Sequence, residues 1–452
     1  MSRTAGAIIC GAGITGVAAA YYLSKAGVKD ILLLDERSPL SLTSDRSTEC
    51  YRNWWPDASM LALMNRSIDL MEELAQESGN VFRMNRRGYL YVTGDESKVS
   101  ALIERSKRTS SLGAGPLRVH QADGRSNYQP APAEGFKDQP DGADLLLGST
   151  TIQKYYPYLT HNAVAALHVR RAGWLSAQQL GILLLETARK RGVRYETGRV
   201  ESVDVENGRV RSVRLSSGES IHAPVFINAA GPHLKNVGNL LGVELPVYTE
   251  LHLKAAIKDP LGVVHRAAPL LIWDDAQLLP WDADEREVLA GDAETRWLSE
   301  LFPAGVHTRP EGAGESQTIL MLWEYKTKEM DPLWPPPIDD QYPEISLRGL
   351  GEMLPRMKEY FNKMPRPQVD GGYYTKTREN RPLIGPTEIQ GAYVIGAVSG
   401  FGIMSACGAG DLLARHISGE NLPAHASAFE LSRYKSPEYM KQMQDWQDSG
   451  QL

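Results

Sequence analysis

The sequence predicts an α/β fold with an α+β portion: a Rossmann-like dinucleotide-binding domain carrying an inserted mixed-sheet domain. Three stretches carry that prediction. "AIICGAGITGVAAAYYLSKAGVKDILLLDE" reads as strand, glycine loop, helix, strand and terminal acid. A central block running from "RRAGWLSAQQL" to "VFINAAGPHL" reads as helix, β-meander and buried strand. Near the C-terminus, "GAYVIGAVSGFGIMSACGAGDLLARHISG" reads as strand, glycine-rich turn and helix.

In the first stretch, Ala7 to Cys10 are small and apolar, as a buried parallel strand requires. Gly11, Gly13 and Gly16 follow in G-x-G-x-x-G spacing. Gly11 permits the tight turn, Gly13 lets the backbone approach a pyrophosphate, and Gly16 lets helix and strand pack closely. The helix N-terminus supplies N–H donors and the positive dipole end for phosphate. The helix stops at Gly27, and the next strand ends on Asp35, 24 positions after Gly11. That is near the spacing at which an acid meets a ribose hydroxyl. A dinucleotide is therefore expected, and the position of the fingerprint at the start of the chain leans to FAD, because it opens the chain in many flavoproteins.

In the central block, "SAQQLGILLLETARKRG" is an amphipathic helix with Ser176 as N-cap. "VRYETGRVESVDVENGRVRSVRLSSGESIHA" alternates between strand runs and Asn-Gly or Ser-Gly turns. "PVFINAAGPHL" finishes in small residues, so something flat or charged can come close.

Composition narrows the classes. The 452 residues are 42% hydrophobic and 23% charged, with a formal net charge of −6. No basic stripe points to nucleic acid, and no apolar run approaches the ~20 residues of a membrane span. The N-terminus has no room for a signal peptide, so a cytoplasmic location is expected, with organelle import left open. Cys10, Cys50 and Cys407 lie far apart, which argues for a reducing compartment. No Cys/His cluster has metal-site spacing, and no metal is expected.

The order of the landmarks, closing with "GGYYTKTRENRPLIGPTEIQGAYVIGAVSGFGIMSACGAG", resembles the D-amino-acid-oxidase family of FAD-dependent oxidoreductases. Its members include monomeric sarcosine oxidase, glycine oxidase and dimethylglycine dehydrogenase. The resemblance implies an FAD extended along Gly11, Ala12, Gly13, Ile14, Thr15 and Gly16. Asp35 would take the ribose, with Glu36 and Arg37 beside the adenosine. "SDRSTECYR" would run under the pyrophosphate toward the flavin, with Ser44, Arg46, Ser47 and Thr48 in contact. Val200 would pair through its backbone with the adenine edge, and Ala230 and Gly231 would lie near the phosphates. Gly400, Phe401, Gly402, Ile403 and Met404 would turn past the pyrimidine end of the flavin. Gly408 and Gly410 would serve helix packing.

On the chemistry, the resemblance implies hydride removal from the carbon next to the nitrogen of a secondary or tertiary amine or an amino acid. Oxygen or another acceptor would take the electrons. Arg52 would tune the charge near the flavin, and Tyr374 and Met404 would line the substrate cavity. Trp54, Trp55, Trp273, Trp281 and Trp323 are candidates for an aromatic lining. Several departures from the family are visible. Gly372 stands where sarcosine oxidase attaches its flavin through cysteine. No histidine occurs before His120 for the attachment used by dimethylglycine dehydrogenase, so non-covalent FAD is expected. Leu320, Met321 and Leu322 stand where sarcosine oxidase has its oxygen-activating lysine, and Lys326 is out of register. Met404 replaces the carboxylate-binding lysine, leaving Arg52 or Arg378 for that task. Oxidation of a 2-hydroxy acid, or an assembly or binding role with vestigial catalysis, are the alternatives. The boundaries place the FAD domain at 1–90, 160–240 and 365–425, the substrate domain at 90–160 and 240–365, and a tail helix at 426–452.

Overall fold

The computed structural model describes residues 3–121 and 127–444. Its first layer is a six-stranded sheet in the order Arg194–Thr197, Ile31–Asp35, Ala7–Cys10, Phe226–Asn228, Ala392–Gly396, Leu383–Pro386. The first five strands are parallel and the last is antiparallel. The buried apolar runs of the inner strands need cover on both faces. Helices Ile14–Lys25, Ala177–Lys190 and Gly402–Ser418 supply apolar faces, and Ser176 caps the second as expected. Glycines set how closely the helices approach. A Cβ on Gly410 would lie 2.8 Å from Tyr22 and 3.0 Å from the Ala18 backbone. One on Gly408 would lie 2.8 Å from the Leu63 carbonyl oxygen, in helix Ala58–Ser78. That long helix starts on Asp57, whose carboxylate accepts from the Met60 N–H, and ends on Gly79 at φ 67°. Each such cap contributes about 1 kcal/mol.

The predicted meander splits. Arg194–Thr197 joins the parallel sheet, whereas Val200–Glu206, Arg209–Leu215 and Ser220–His222 form a separate four-stranded sheet completed by Arg3–Thr4. Local alternation fixes the hairpins but not the sheet they join.

The second layer is a nine-stranded mixed sheet in the order Gln368–Lys376, Tyr248–Lys258, Thr318–Leu322, Val306–Pro310, Leu270–Trp273, Tyr89–Thr93, Ala165–Val169, Ala143–Leu147, Leu117–His120. Ala165–Val169 and Gln368–Lys376 fall inside the stretches that the sequence reading gives to the FAD side, yet they pair into this sheet. Gln368–Lys376 therefore runs along the border between the layers. Helix Tyr342–Met353 packs behind the sheet, where a Cβ on Gly349 would fall 2.3 Å from the Trp323 ring. The acidic stretch after Trp273 contains helix Ala283–Gly291, closed by an Asp282–Glu285 capping box. Arg348, in turn, binds Glu285 and Glu344 and lies over Trp281. The tail carries helix Pro437–Gln444, and residues 445–452 lie outside the described residues.

Candidate active site and cofactor cleft

Two cavities adjoin where the layers meet. The first is a cleft built mainly from backbone. Gly11 sits at φ +110°, and a Cβ there would be 2.4 Å from the Ala229 carbonyl oxygen, so the turn requires glycine. A Cβ on Gly16 would be 1.9 Å from the Gly11 carbonyl oxygen. Gly13 differs: its nearest neighbour would be Ser44 Oγ at 3.4 Å, so this face is open to the cleft. Ser44 Oγ accepts from the Ile14 N–H at 3.0 Å. The Asp35 carboxylate accepts from the Ala12 N–H at 2.7 Å and the Arg37 N–H at 2.9 Å. Asp35 thus ties the glycine loop to the end of the neighbouring strand as well as lining the cleft.

Gly11, Gly13, Ile14, Thr15, Asp35, Ser44, Arg46, Ser47, Thr48, Ala230, Gly231, Gly400, Gly402 and Ile403 all line this cleft. Ala12 and Gly16 are buried behind it, Glu36 and Arg37 lie exposed past the strand end, and Val200 is buried opposite Leu215. Phe401 and Met404 line the second cavity instead. The C-terminal turn departs from a plain glycine loop, since its left-handed positions include Ala397 (φ 53°) and Ser399 (φ 43°). The Ser399 and Phe401 N–H groups are already bonded, to the carbonyls of Thr375 and Val398. The first helical turn at Gly402–Met404 presents N–H donors to the cleft. A further wall comes from Lys254, whose ammonium donates to the carbonyls of Arg46 and Ser47 at 2.9 and 3.0 Å. Nothing in the sequence marked Lys254.

The cleft suits an extended dinucleotide. It offers a Cβ-free approach at Gly13, helix N-termini at Ile14 and Gly402, and small residues at Ala230 and Gly231. A Cβ on Gly372 would sit 3.3 Å from Thr43 and Arg46, so this strand presses directly on the segment under the cleft.

The second cavity shares Thr48, His252, Leu253, Leu322, Tyr374 and Gly400 with the cleft. Arg52, 5% exposed, lines it from strand Cys50–Arg52. Its Nε–H donates to the Trp54 carbonyl at 3.2 Å, and its guanidinium lies 4.6 Å from the Trp55 ring. Tyr374 stacks on His252 with ring centroids 3.7 Å apart. His252 Nδ1 is 3.1 Å from Glu324 and Nε2 is 3.3 Å from Glu250, which also accepts from Lys376 at 3.0 Å. Burial alone would make His252 less basic, but Glu324 and Glu250 outweigh it and hold the imidazole above its ordinary pKa. The His252 hydrogen bond, with Lys376, holds Glu250 below the usual carboxylate range. Glu324 is also held low, with His252, His307 and Lys376 outweighing its burial. Burial pushes the Tyr374 phenol up, so it stays neutral.

Met404 is buried and faces this cavity. Of the residues searched for a lysine, Leu322 borders both cavities, while Leu320 and Met321 border neither. Lys326 lies at the cavity edge over the Trp297 ring, and Arg378 is exposed and borders neither cavity. Trp55 and Trp323 line the cavity, whereas Trp54, Trp273 and Trp281 do not. Cys50 lines it as well. Its Sγ–H donates to the Thr48 carbonyl at 3.2 Å, and burial pushes the thiol up, away from thiolate chemistry. Sequence reasoning missed His252 and His307, which stand in unremarkable strand text, and Glu324, which follows strand Thr318–Leu322; the three converge only in the folded chain. Among the described residues no cluster of metal-ligating side chains occurs.

Backbone cradle, paired glycine turns and a charged aromatic cavity together define a flavin-dependent oxidoreductase architecture. Residues 7–416 match the family model described as FAD dependent oxidoreductase, and the chain belongs to that family. Mitochondrial dimethylglycine dehydrogenase of Mus musculus is 23% identical over 430 residues, covering 94% of this chain and 44% of that protein. The chain thus spans less than half the length of the curated relatives it first matches. The mitochondrial pyruvate dehydrogenase phosphatase regulatory subunit of Mus musculus is 28% identical over 247 residues, covering 54% of this chain and 25% of that protein. L-proline dehydrogenase from P. horikoshii superposes with a TM-score of 0.73 at 17% identity, covering 96% of this chain and 99% of that one. Glycine oxidase from Geobacillus kaustophilus gives 0.72 at 14% identity, with 96% and 99% covered. These two likenesses carry the fold. No described helix is long and apolar enough to cross a membrane.

Proposed function

We propose that this chain binds FAD non-covalently in the cleft and uses it to take a hydride from the carbon next to the nitrogen of a secondary or tertiary amine or an amino acid. Gly11–Gly16 and Gly231 would hold the pyrophosphate, Asp35 the ribose, and the Gly402 helix end the pyrimidine side of the flavin. FAD supplies the two-electron acceptor, and the protein supplies orientation, a dry face and local charge. The observation that carries the reading is the shared wall: Thr48, Leu322, Tyr374 and Gly400 border both spaces, so a ring lying at the end of the cleft faces the aromatic cavity directly. Arg52 is the cation placed for a substrate carboxylate, or for anionic charge on the reduced ring. The sequence relatives named for dimethylglycine and the fold neighbours named for glycine and L-proline support an amine substrate. Oxygen or another acceptor would complete turnover. The three free cysteines support a reducing compartment.

The test is anaerobic flavin bleaching with a panel of amines, amino acids and 2-hydroxy acids. Bleaching by amines alone is expected. Bleaching by hydroxy acids alone would overturn the amine reading. A panel that bleaches nothing while FAD stays bound would favour a second reading, a binding role without turnover, which the likeness to a regulatory subunit supports. Acid precipitation should release the yellow colour, and colour retained by the pellet would overturn non-covalent binding.

A further inference from the structure

The proposed oxidation gives no role to His307, a lining group of the inner cavity. His307 stands on strand Val306–Pro310 directly opposite Leu322, and Leu322 borders both the cleft and the cavity. Paired residues of antiparallel strands project to the same face. His307 therefore lies beside the junction at which a ring in the cleft would meet a substrate. The residue is 7% exposed and lines the cavity.

Its tautomer is fixed. His307 Nδ1 lies 2.8 Å from the Gly305 carbonyl oxygen, an atom that only accepts, so Nδ1 carries the proton. Burial, reinforced by Arg52 and opposed by the Gly305 hydrogen bond and Glu324, makes the ring less basic than an ordinary imidazole. With Nδ1 turned back to its own strand, the far nitrogen, Nε2, is a lone-pair acceptor. His252 contrasts with it: both of its ring nitrogens face carboxylates and its pKa is raised. The cavity thus holds one imidazole that donates and one that accepts.

An amine gives up a hydride only when its nitrogen lone pair is free, that is, as the neutral form. A neutral primary or secondary amine still has an N–H to donate, and a neutral tertiary amine has none. We propose that His307 Nε2 accepts a hydrogen bond from the substrate nitrogen, so that the cavity selects amines bearing an N–H over tertiary amines. This inference rests on the amine-oxidation reading and narrows it away from tertiary amines, the class of the dimethylglycine for which the sequence relative is named. A site built around a buried acceptor discriminates against an analogue that leaves the acceptor unpaired.

The experiment uses the FAD-loaded protein and two probes. tert-Butylamine has no hydrogen on the carbon next to nitrogen and cannot lose a hydride. Tetramethylammonium has no N–H. Dissociation constants come from calorimetry or flavin absorbance, for the parent and for His307→Asn, whose amide can still donate to the Gly305 carbonyl but offers no acceptor at the Nε2 position. The parent should prefer tert-butylamine, and that preference should fall about tenfold in His307→Asn. In the ¹⁵N-histidine spectrum of the parent, the His307 Nε2 resonance should be that of a bare nitrogen and should shift with tert-butylamine alone. An equal preference in both proteins, no saturable binding of tert-butylamine, or an Nε2 resonance that ignores it would overturn the proposal. If the binding results hold while no amine bleaches the flavin, the N–H site stands and the oxidation reading falls.

Discussion

The cofactor cleft and the inner cavity share a wall but are made of different material. The cleft is mostly backbone: glycines without Cβ atoms, helix N-termini, and one carboxylate that ties the loop to the next strand. The cavity is mostly side chains, with Arg52, His252, His307, Glu324 and several aromatics brought in from strands, helices and the segments between them. The difference teaches how each is specified. A backbone cradle is encoded by short contiguous motifs, because the residues that make the turn are the residues that line the cleft. A side-chain constellation depends on strand pairing, which sets His307 opposite Leu322 and brings the strand of Tyr374 beside that of His252.

The comparison predicts unequal responses to substitution. The largest effect is expected at Gly11. An alanine there places its Cβ against the Ala229 carbonyl at a φ that L-residues rarely adopt, a cost of about 3 kcal/mol or more. Gly11→Ala should lose bound FAD and lower the Tm, as read from the flavin-to-protein absorbance ratio and a thermal melt. Full FAD content in this variant would break the backbone account. On the cavity side, Arg52→Gln should keep its FAD while flavin reduction slows roughly a hundredfold. Equal loss of FAD and of reduction rate would erase the distinction between the two regions.

A smaller effect is expected at Asp35, which belongs to the cleft but acts through a side chain. Asp35→Asn weakens a charge-assisted bond to the Ala12 N–H. FAD affinity should fall about tenfold, measured by equilibrium titration.

The smallest effect is a pH dependence at Glu324. Because His252 is held above its ordinary pKa, its carboxylate partners add stability that is fully present below about pH 6.5 and is lost as pH rises through the folded value. Glu324, held low, contributes above its ordinary carboxylate value and loses that contribution as pH falls. Glu324→Gln should therefore lower the Tm most between these limits, with the gap closing toward alkaline pH. A gap that stays flat from about pH 5 to about pH 9 would show that the pair is not coupled.

Much of the first layer was legible in the sequence. The strand–loop–helix–strand order at Ala7–Asp35, the Ser176 cap and the packing role of Gly408 and Gly410 all follow from local sequence. Less legible was the allegiance of single strands. Arg194–Thr197 looks like the first strand of the meander but pairs with Ile31–Asp35, and Gln368–Lys376 leads into the FAD side but pairs with Tyr248–Lys258. A strand's alternation records how it is buried, not which edge it meets.

By itself, then, the sequence placed a glycine-rich turn near each end of the chain, both of which line one cleft, because glycine spacing and chain reversal are local properties. It also placed Arg52, Tyr374 and Met404, which border one cavity. Only the tertiary structure decided the charge of that cavity. His252 meets Glu250 from its own strand and Glu324 from beyond the end of the neighbouring strand, whereas His307 turns its Nδ1–H to the Gly305 carbonyl. Protonation depends on burial and on nearby charge, and neither exists until the sheet has formed.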